Sequence, residues 1–178
     1  LTNYSTEFMP TFRPALHHEA LIYCVADKII RLSHYNLLVN TNGIKKFLGL
    51  NRDDTFLVKL APESTAWAVL QLLLPLYAAA SITNVNPKII LGVEGQFENT
   101  DYIIKMNWTE ISKENNTIFI LPENTAVLCV GDKPIHMTTI DKRNKKMKIN
   151  GHSVMIGYLN DKNNEAVFRN KGMMIKRS

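Results

Sequence analysis

The sequence predicts an α+β protein, with an N-terminal helical part followed by an antiparallel β barrel or sandwich. Three observations predict it. The longest apolar run, PESTAWAVLQLLLPLYAAASI at residues 62–82, places apolar side chains on every face of a helix. From Lys88 onward the chain breaks into short apolar or alternating runs of strand length: KIILGV, DYIIKMNW, TIFIL, TAVLCV, PIHMTTI, KMKI, SVMIGYL, AVF and GMMIK. Turn signals of the hairpin kind lie between several of these runs. The chain therefore divides into an extended arm (1–13), a helical domain (14–84) and a β domain (85–178).

Taken in order, residues 1–13 read as an arm, because Pro10 and Pro14 oppose helix before them. Tyr4, Phe8, Met9 and Phe12 are available to pack on the chain's own domain or on a partner subunit. Residues 14–34 predict the first helix: Pro14 suits a first turn, and Ile22, Val25, Ala26, Ile29 and Ile30 recur at helical spacing. Asn40-Thr41-Asn42-Gly43 reads as a turn, residues 44–50 as a short helix, and residues 51–54 as a polar break. The 62–82 helix follows. Pro62 has no N–H to lose in the first turn, and Glu63 sits near the positive end of the helix dipole. Gln71 and Pro75 interrupt the run, and Asp53, Asp54 and Glu63 precede it, which favours a core helix over a membrane span. Pro75 predicts a kink. In the β part, Asn150-Gly151 predicts a type I′ hairpin turn, and residues 130–133 a second tight hairpin. Residues 169–172 predict a three-residue hairpin loop with Gly172 left-handed.

Composition is that of an ordinary globular protein, and LTNYSTEFMP lacks the apolar segment of a signal peptide. The first residue is Leu1, consistent with a removed leader or a boundary in a longer chain. Cys24 and Cys129 each sit in an apolar run and read as buried free thiols. The formal charge is +5, but it is unevenly spread. Residues 1–132 hold 10 Lys and Arg against 13 Asp and Glu, and residues 133–178 hold 11 against 3. Such an excess either keeps sheet edges soluble or faces an anionic partner. The candidate anion or nucleic-acid contacts are Lys142, Arg143, Lys145, Lys146, Lys148, Arg169 and Lys171.

No catalytic, cofactor or metal motif emerges. His17 and His18 are adjacent and point about 100° apart on a helix, and position 21 is Leu, so the zincin spacing is absent. Cys24 lies in an apolar face, where a thiolate is disfavoured. There is no nucleophile elbow, no G-x-G-x-x-G and no Walker loop. Glu94, Glu98 and Asp101 read as a polar connection.

The segment FRPALHHEALIYCVADKIIR, Phe12 to Arg31, resembles a helix of tailed-bacteriophage head-to-tail adaptor and connector proteins. The resemblance implies a ring component of a virion, held by subunit contacts. With the absent chemistry, it leads to the expectation of a non-enzymatic structural or assembly protein. Such a protein would be virion-bound or cytoplasmic, with other subunits of an assembly as partners, a homo-oligomer or ring, and no membrane contact. The alternative is a basic nucleic-acid or ribonucleoprotein-binding module.

Overall fold

The computed structural model describes residues 11–106, 111, 113–143, 146–169 and 172–176. The architecture differs from the expected helices-then-barrel order. The described chain opens on a β hairpin, β1 (Glu19–Val25) and β2 (Lys28–Ser33). A 15-residue helix follows, α1 (His34–Leu48). Strand β3 (Thr55–Val58) leads to a second helix, α2, π-helical over Trp67–Leu73 and α-helical over Leu74–Ala78. Then come β4 (Ser81–Ile82), β5 (Ile89–Val93), β6 (Tyr102–Lys105) and β7 (Thr117–Ile120). A 3-10 turn (Pro122–Asn124) precedes β8 (Val127–Val130) and β9 (Lys133–Pro134). The last part holds β10 (Thr138–Arg143), β11 (Lys146–Gly151), β12 (Gly157–Tyr158), α3 (Asp161–Val167), β13 (Phe168–Arg169) and β14 (Gly172–Lys176).

Three sheets result. The largest has seven strands in the order β4-β3-β5-β6-β7-β8-β9. Its centre is parallel: β3 pairs with β4 and β5, β5 with β6, and β6 with β7, all in parallel register. Only β7-β8 and β8-β9 are antiparallel. The expected all-antiparallel sheet is thereby corrected. A four-stranded sheet, β10-β11-β14-β13, and a three-stranded one, β1-β2-β12, are antiparallel throughout.

The sheets form layers around two core clusters. Ile118, Ile120, Val127 and Val130 join the helical residues Ile44, Leu48, Val69, Leu70 and Leu74 in one cluster. Phe119, Leu121, Leu128 and Cys129 join Ile30, Leu32, Met147, Ile149 and Met173 in the other. Strands β7 and β8 are therefore buried on both faces, and this is why TIFIL and TAVLCV are continuously apolar instead of alternating.

Each misread element has a local cause. The helix expected over 14–34 is the β1-β2 hairpin. Its runs EALIYCV and KIIRLS satisfy strand alternation as well as helical spacing, and runs this short do not separate the two. The turn between them uses Ala26 with φ 50°, a residue that carries no turn signal. Residues 40–43, expected as a turn, lie inside α1. Ser33 and Asn36 form a reciprocal capping box at its start, and Gly49 closes it in the left-handed conformation. Gly43 is there for packing: a Cβ would lie 2.5 Å from Ile135 Cγ1.

The 62–82 run does contain a helix, but a helix lying on a sheet, not a rod in the centre of the core. Val69, Leu70, Leu74 and Ala78 face inward, whereas Leu72, Tyr77 and the 74 % exposed Leu76 face out. Pro75 cannot donate to the Gln71 carbonyl, and the preceding turns widen: the Leu74 N–H donates to Val69 O, five residues back. Of the described residues, no helix is long and apolar enough to cross a membrane.

The tight hairpin at 130–133 forms as predicted, with Val130 opposite Lys133. At 169–172 a hairpin also forms, Arg169 opposite Gly172, but Gly172 is a strand residue whose Cβ would collide with Asn150 Oδ1. Asn150-Gly151 does not make a hairpin. Strand β11 ends there and pairs with β10 and β14, and Gly151 is required because a Cβ would strike Met137 O.

Candidate functional site at the carboxyl edge of the parallel strands

In open α/β sheets, ligands bind outside the carboxyl ends of the strands, at the point where connections leave in opposite directions. Here the carboxyl ends of β3, β5, β6 and β7 share one edge. The switch lies at β3, which is flanked by β4 on one side and β5 on the other. Outside β3, the Gln96 side chain bridges the two exits: Nε2 donates to Lys59 O at 2.7 Å, and Oε1 accepts from Val93 N–H at 3.1 Å. Gln71 Oε1 accepts from Leu60 N–H at 2.8 Å, tying the same exit to α2.

The β1-β2 hairpin crosses this edge. The Tyr23 hydroxyl donates to Glu63 O, in the loop leaving β3. At the other end Lys28 meets Glu123, in the loop leaving β7, with Nζ 3.5 Å from Oε1. Glu123 is only 9 % exposed, and Tyr158 Oη donates to the same carboxylate oxygen at 2.8 Å. The Lys28 ammonium also lies 5.6 Å from the Tyr158 ring centroid. A buried carboxylate is tolerated only when paired and hydrogen-bonded, and Lys28 and Tyr158 do both. Burial, followed by the adjacent Glu123 charge, pushes the Tyr158 phenol far above its ordinary value. Tyr158 is thus a fixed neutral donor.

Helix α1 holds this loop in place. Asn40 Nδ2 donates to Asn124 O at 3.0 Å and Val127 O at 2.9 Å, while Oδ1 accepts from Val127 N–H at 3.0 Å. One turn earlier, Asn36 Nδ2 donates to His152 O at 2.8 Å and Val154 O at 2.9 Å. Thr125 Oγ1 donates to Ser153 O at 2.6 Å. Thr125 itself has φ 68°, ψ −59°, a conformation a β-branched residue adopts only when its surroundings force it. Nearby, Asn124 Oδ1 and Ser153 Oγ are buried and without a partner. Strain, orphaned polar atoms and a shifted titratable group thus coincide beyond the end of β7, as they do at functional sites.

The basic residues expected from sequence are not at this edge. Lys142 and Lys146 are exposed, and Lys148 half-buried, on β10 and β11. Arg143 and Arg169 stand on β10 and β13. Lys145 and Lys171 lie outside the described residues, as does most of the 1–13 arm. Cys129 is buried, but Cys24, expected to be buried, is exposed. His17 and His152 each make an edge contact with the Tyr35 ring. Asp101 accepts from Ile90 N–H at 2.7 Å, a structural role. Among the described residues, no three His, Cys, Asp or Glu gather as a metal site. Sequence reasoning missed Lys28, Glu123 and Tyr158 altogether. They are far apart in the chain, and no spacing links them.

No protein-family model matches this sequence, and no curated protein does. Solved structures do match. A Rhodopseudomonas palustris protein assigned as a long-chain-fatty-acid CoA ligase superposes with a TM-score of 0.72 at 15 % identity, over 95 % of this chain and 58 % of that one. O-succinylbenzoate coenzyme A synthetase (MenE) of Bacillus subtilis gives 0.68 at 13 % identity, over 90 % and 46 %. McyG A-PCP, complexed with phenylalanyl-adenylate, gives 0.72 at 12 % identity, over 98 % and 42 %. The fold is similar to part of a CoA ligase. The chain spans about half the length of the structures it matches. Identities this low establish the fold alone, yet they redirect the functional reading. The expectation of a non-enzymatic virion component gives way, because the fold recurs among ligases, synthetases and an adenylate complex.

Proposed function

We propose that this chain belongs to an enzyme that activates a carboxylic acid with ATP, and that its carboxyl-edge junction faces the reactants. The observation that carries the reading is the extent of the likeness: 90–98 % of the chain follows the fold of proteins described as a fatty-acid CoA ligase, an O-succinylbenzoate CoA synthetase and a phenylalanyl-adenylate complex. Their acyl groups differ, and their common chemistry is a carboxylate activated for transfer. MenE has also been captured with ATP and magnesium ion. In that reaction a carboxylate oxygen attacks the α-phosphorus of ATP, a new P–O bond forms, and pyrophosphate leaves with the bond electrons. The described part of this chain supplies no three-residue cage for a metal ion. Its contribution is positional. Asn40 and Thr125 fix the loop after β7, and Lys28 brings a half-exposed ammonium to the edge, where an anionic group would meet it.

The test is carboxylate-dependent exchange of labelled pyrophosphate into ATP, run over aliphatic, aromatic and amino acids. Exchange with at least one acid is expected, and Lys28→Gln should lower it about tenfold, the worth of one charge-assisted contact. A protein that neither exchanges pyrophosphate nor binds ATP or AMP by calorimetry would overturn the reading.

A further inference from the structure

Tyr158 completes the junction at the carboxyl edge, yet it stands on a strand of two residues, β12. Strand β2 pairs with β12 on one side, and the three-stranded sheet ends there. A buried residue on a sheet edge needs partners for its own N–H and C=O, and Tyr158 is only 2 % exposed. Asn164 of α3 supplies both. Its Oδ1 accepts from the Tyr158 N–H at 2.6 Å, and its Nδ2 donates to the Tyr158 carbonyl at 2.9 Å. One side-chain amide thus stands where a neighbouring strand would pair, and it grips the residue whose hydroxyl serves Glu123. The surroundings suit that grip. A Cβ at Gly157 would lie 2.9 Å from Asn164 Oδ1, so glycine is what lets the amide come this close. Asn is a poor residue for a helix interior because its side chain competes for backbone groups, and here that capacity is turned on Tyr158. Helix α3 is itself pinned at both ends. The Asn160 side chain accepts from the Lys162 N–H at 3.2 Å, and Val167 and Phe168 pack on the second core cluster.

We infer that Asn164 is a positioning residue of the edge junction: by gripping the Tyr158 backbone it fixes the phenol on Glu123, and through Glu123 and the Tyr158 ring it sets where the Lys28 ammonium stands. A hydroxyl holds a carboxylate only while its own main chain is held, because the bond weakens steeply once distance or angle drifts. With Tyr158 loose, Glu123 keeps Lys28 as a partner but loses a hydrogen bond, and Lys28 loses the ring beneath it. The effect of Asn164 on carboxylate activation rests on the proposed ligase function. Its hold on Tyr158 does not.

Two measurements test this. The first follows phenolate absorbance as pH is raised, with circular dichroism at each step to confirm the native fold. In the unsubstituted protein Tyr158 should stay protonated while exposed tyrosines ionise around pH 10, since burial and Glu123 hold its phenol far above that value. In Asn164→Ala the phenol should leave Glu123 and ionise with them, adding one tyrosine's absorbance, and the addition should vanish in Asn164→Ala/Tyr158→Phe. Asn164→Asp keeps an acceptor for the Tyr158 N–H and loses the donor, so it should release the phenol in part, and it serves if the alanine variant does not fold. No release from either variant while the fold is native would overturn the inference, because a purely structural clamp lowers the melting temperature without freeing the phenol. The second measurement is pyrophosphate exchange. Asn164→Ala should lower it about tenfold, as Lys28→Gln does, and the double variant no further, because both act on one ammonium. Losses that multiply in the double variant would overturn the link to Lys28. An unsubstituted protein that exchanges nothing overturns the ligase function and leaves the titration to decide the role of Asn164.

Discussion

Cys129 and Tyr158 are buried acids of the second core cluster, and each is held protonated there. Burial pushes the Cys129 thiol from 9.0 up to about 12, and it pushes the Tyr158 phenol up further. Both groups bind protons more tightly folded than unfolded. Their contribution is fully present below the unfolded values, near 9 for Cys and 10 for Tyr, and is lost as pH rises above them. Urea melts should therefore show stability declining between pH 9 and 12. Cys129→Ala should flatten that decline over the same range while lowering stability at pH 7 by about 1 kcal/mol for the smaller side chain. A decline as steep as that of the unsubstituted protein would show that Cys129 is not the group responsible. The exposure difference gives an independent check: a thiol reagent applied to folded protein should modify Cys24 and spare Cys129 until urea is added. Residue character at these positions was legible in part. The apolar surroundings of both cysteines were visible, but only strand alternation in β1 decides that Cys24 faces out.

At the scale of elements, α1 carries the most structural information. Its capping box could be read from Ser33 and Asn36 only once a helix was known to start there, and Asn40-Thr-Asn-Gly43 spells a turn by composition. Those polar residues are tolerated mid-helix because their partners are elsewhere. Asn40 is fully buried and makes three hydrogen bonds to the loop after β7 and to β8, each worth about 1 kcal/mol net. Gly43 is equally dictated from outside, by Ile135. Gly43→Ala ought to raise intrinsic helix propensity by about 1 kcal/mol yet destabilise the protein by about 1–3 kcal/mol through overpacking. The double variant with Ile135→Ala should recover part of that loss in a thermal or urea melt. Additive losses would mean that the two positions do not meet. The strands after residue 88 were largely visible as apolar runs, but their direction was not. Parallel and antiparallel pairing use the same residues, and the β5-β6 connection, 94–101, contains no element that announces a crossover.

At the scale of the whole molecule the seven-stranded sheet organises the described residues: the two longer helices pack on one face, and the two smaller sheets pack on the other face at β7 and β8. Both core clusters draw residues from either side of position 84. Phe56 packs with Leu91 and Ile104, and Leu32 with Phe119 and Met147. Leu37 touches both clusters. Such shared cores predict one cooperative unfolding transition. Far-ultraviolet circular dichroism and tryptophan fluorescence should trace coincident urea curves, and two separated transitions would indicate independently stable halves.

Read alone, the sequence determined where most strands lie, that a helix follows Pro62, that the hairpin at 130–133 is tight, and that positive charge gathers after residue 132. Local patterns report these, because side-chain periodicity, proline and charge act over a few residues. Only the tertiary structure decided that residues 19–33 are a hairpin, that the central strands run parallel, and that Lys28, Glu123 and Tyr158 meet at one edge. Short apolar runs fit helix and strand alike. The choice is made by what they pack against, and a buried carboxylate draws its lysine and its hydroxyl from parts of the chain no local pattern joins.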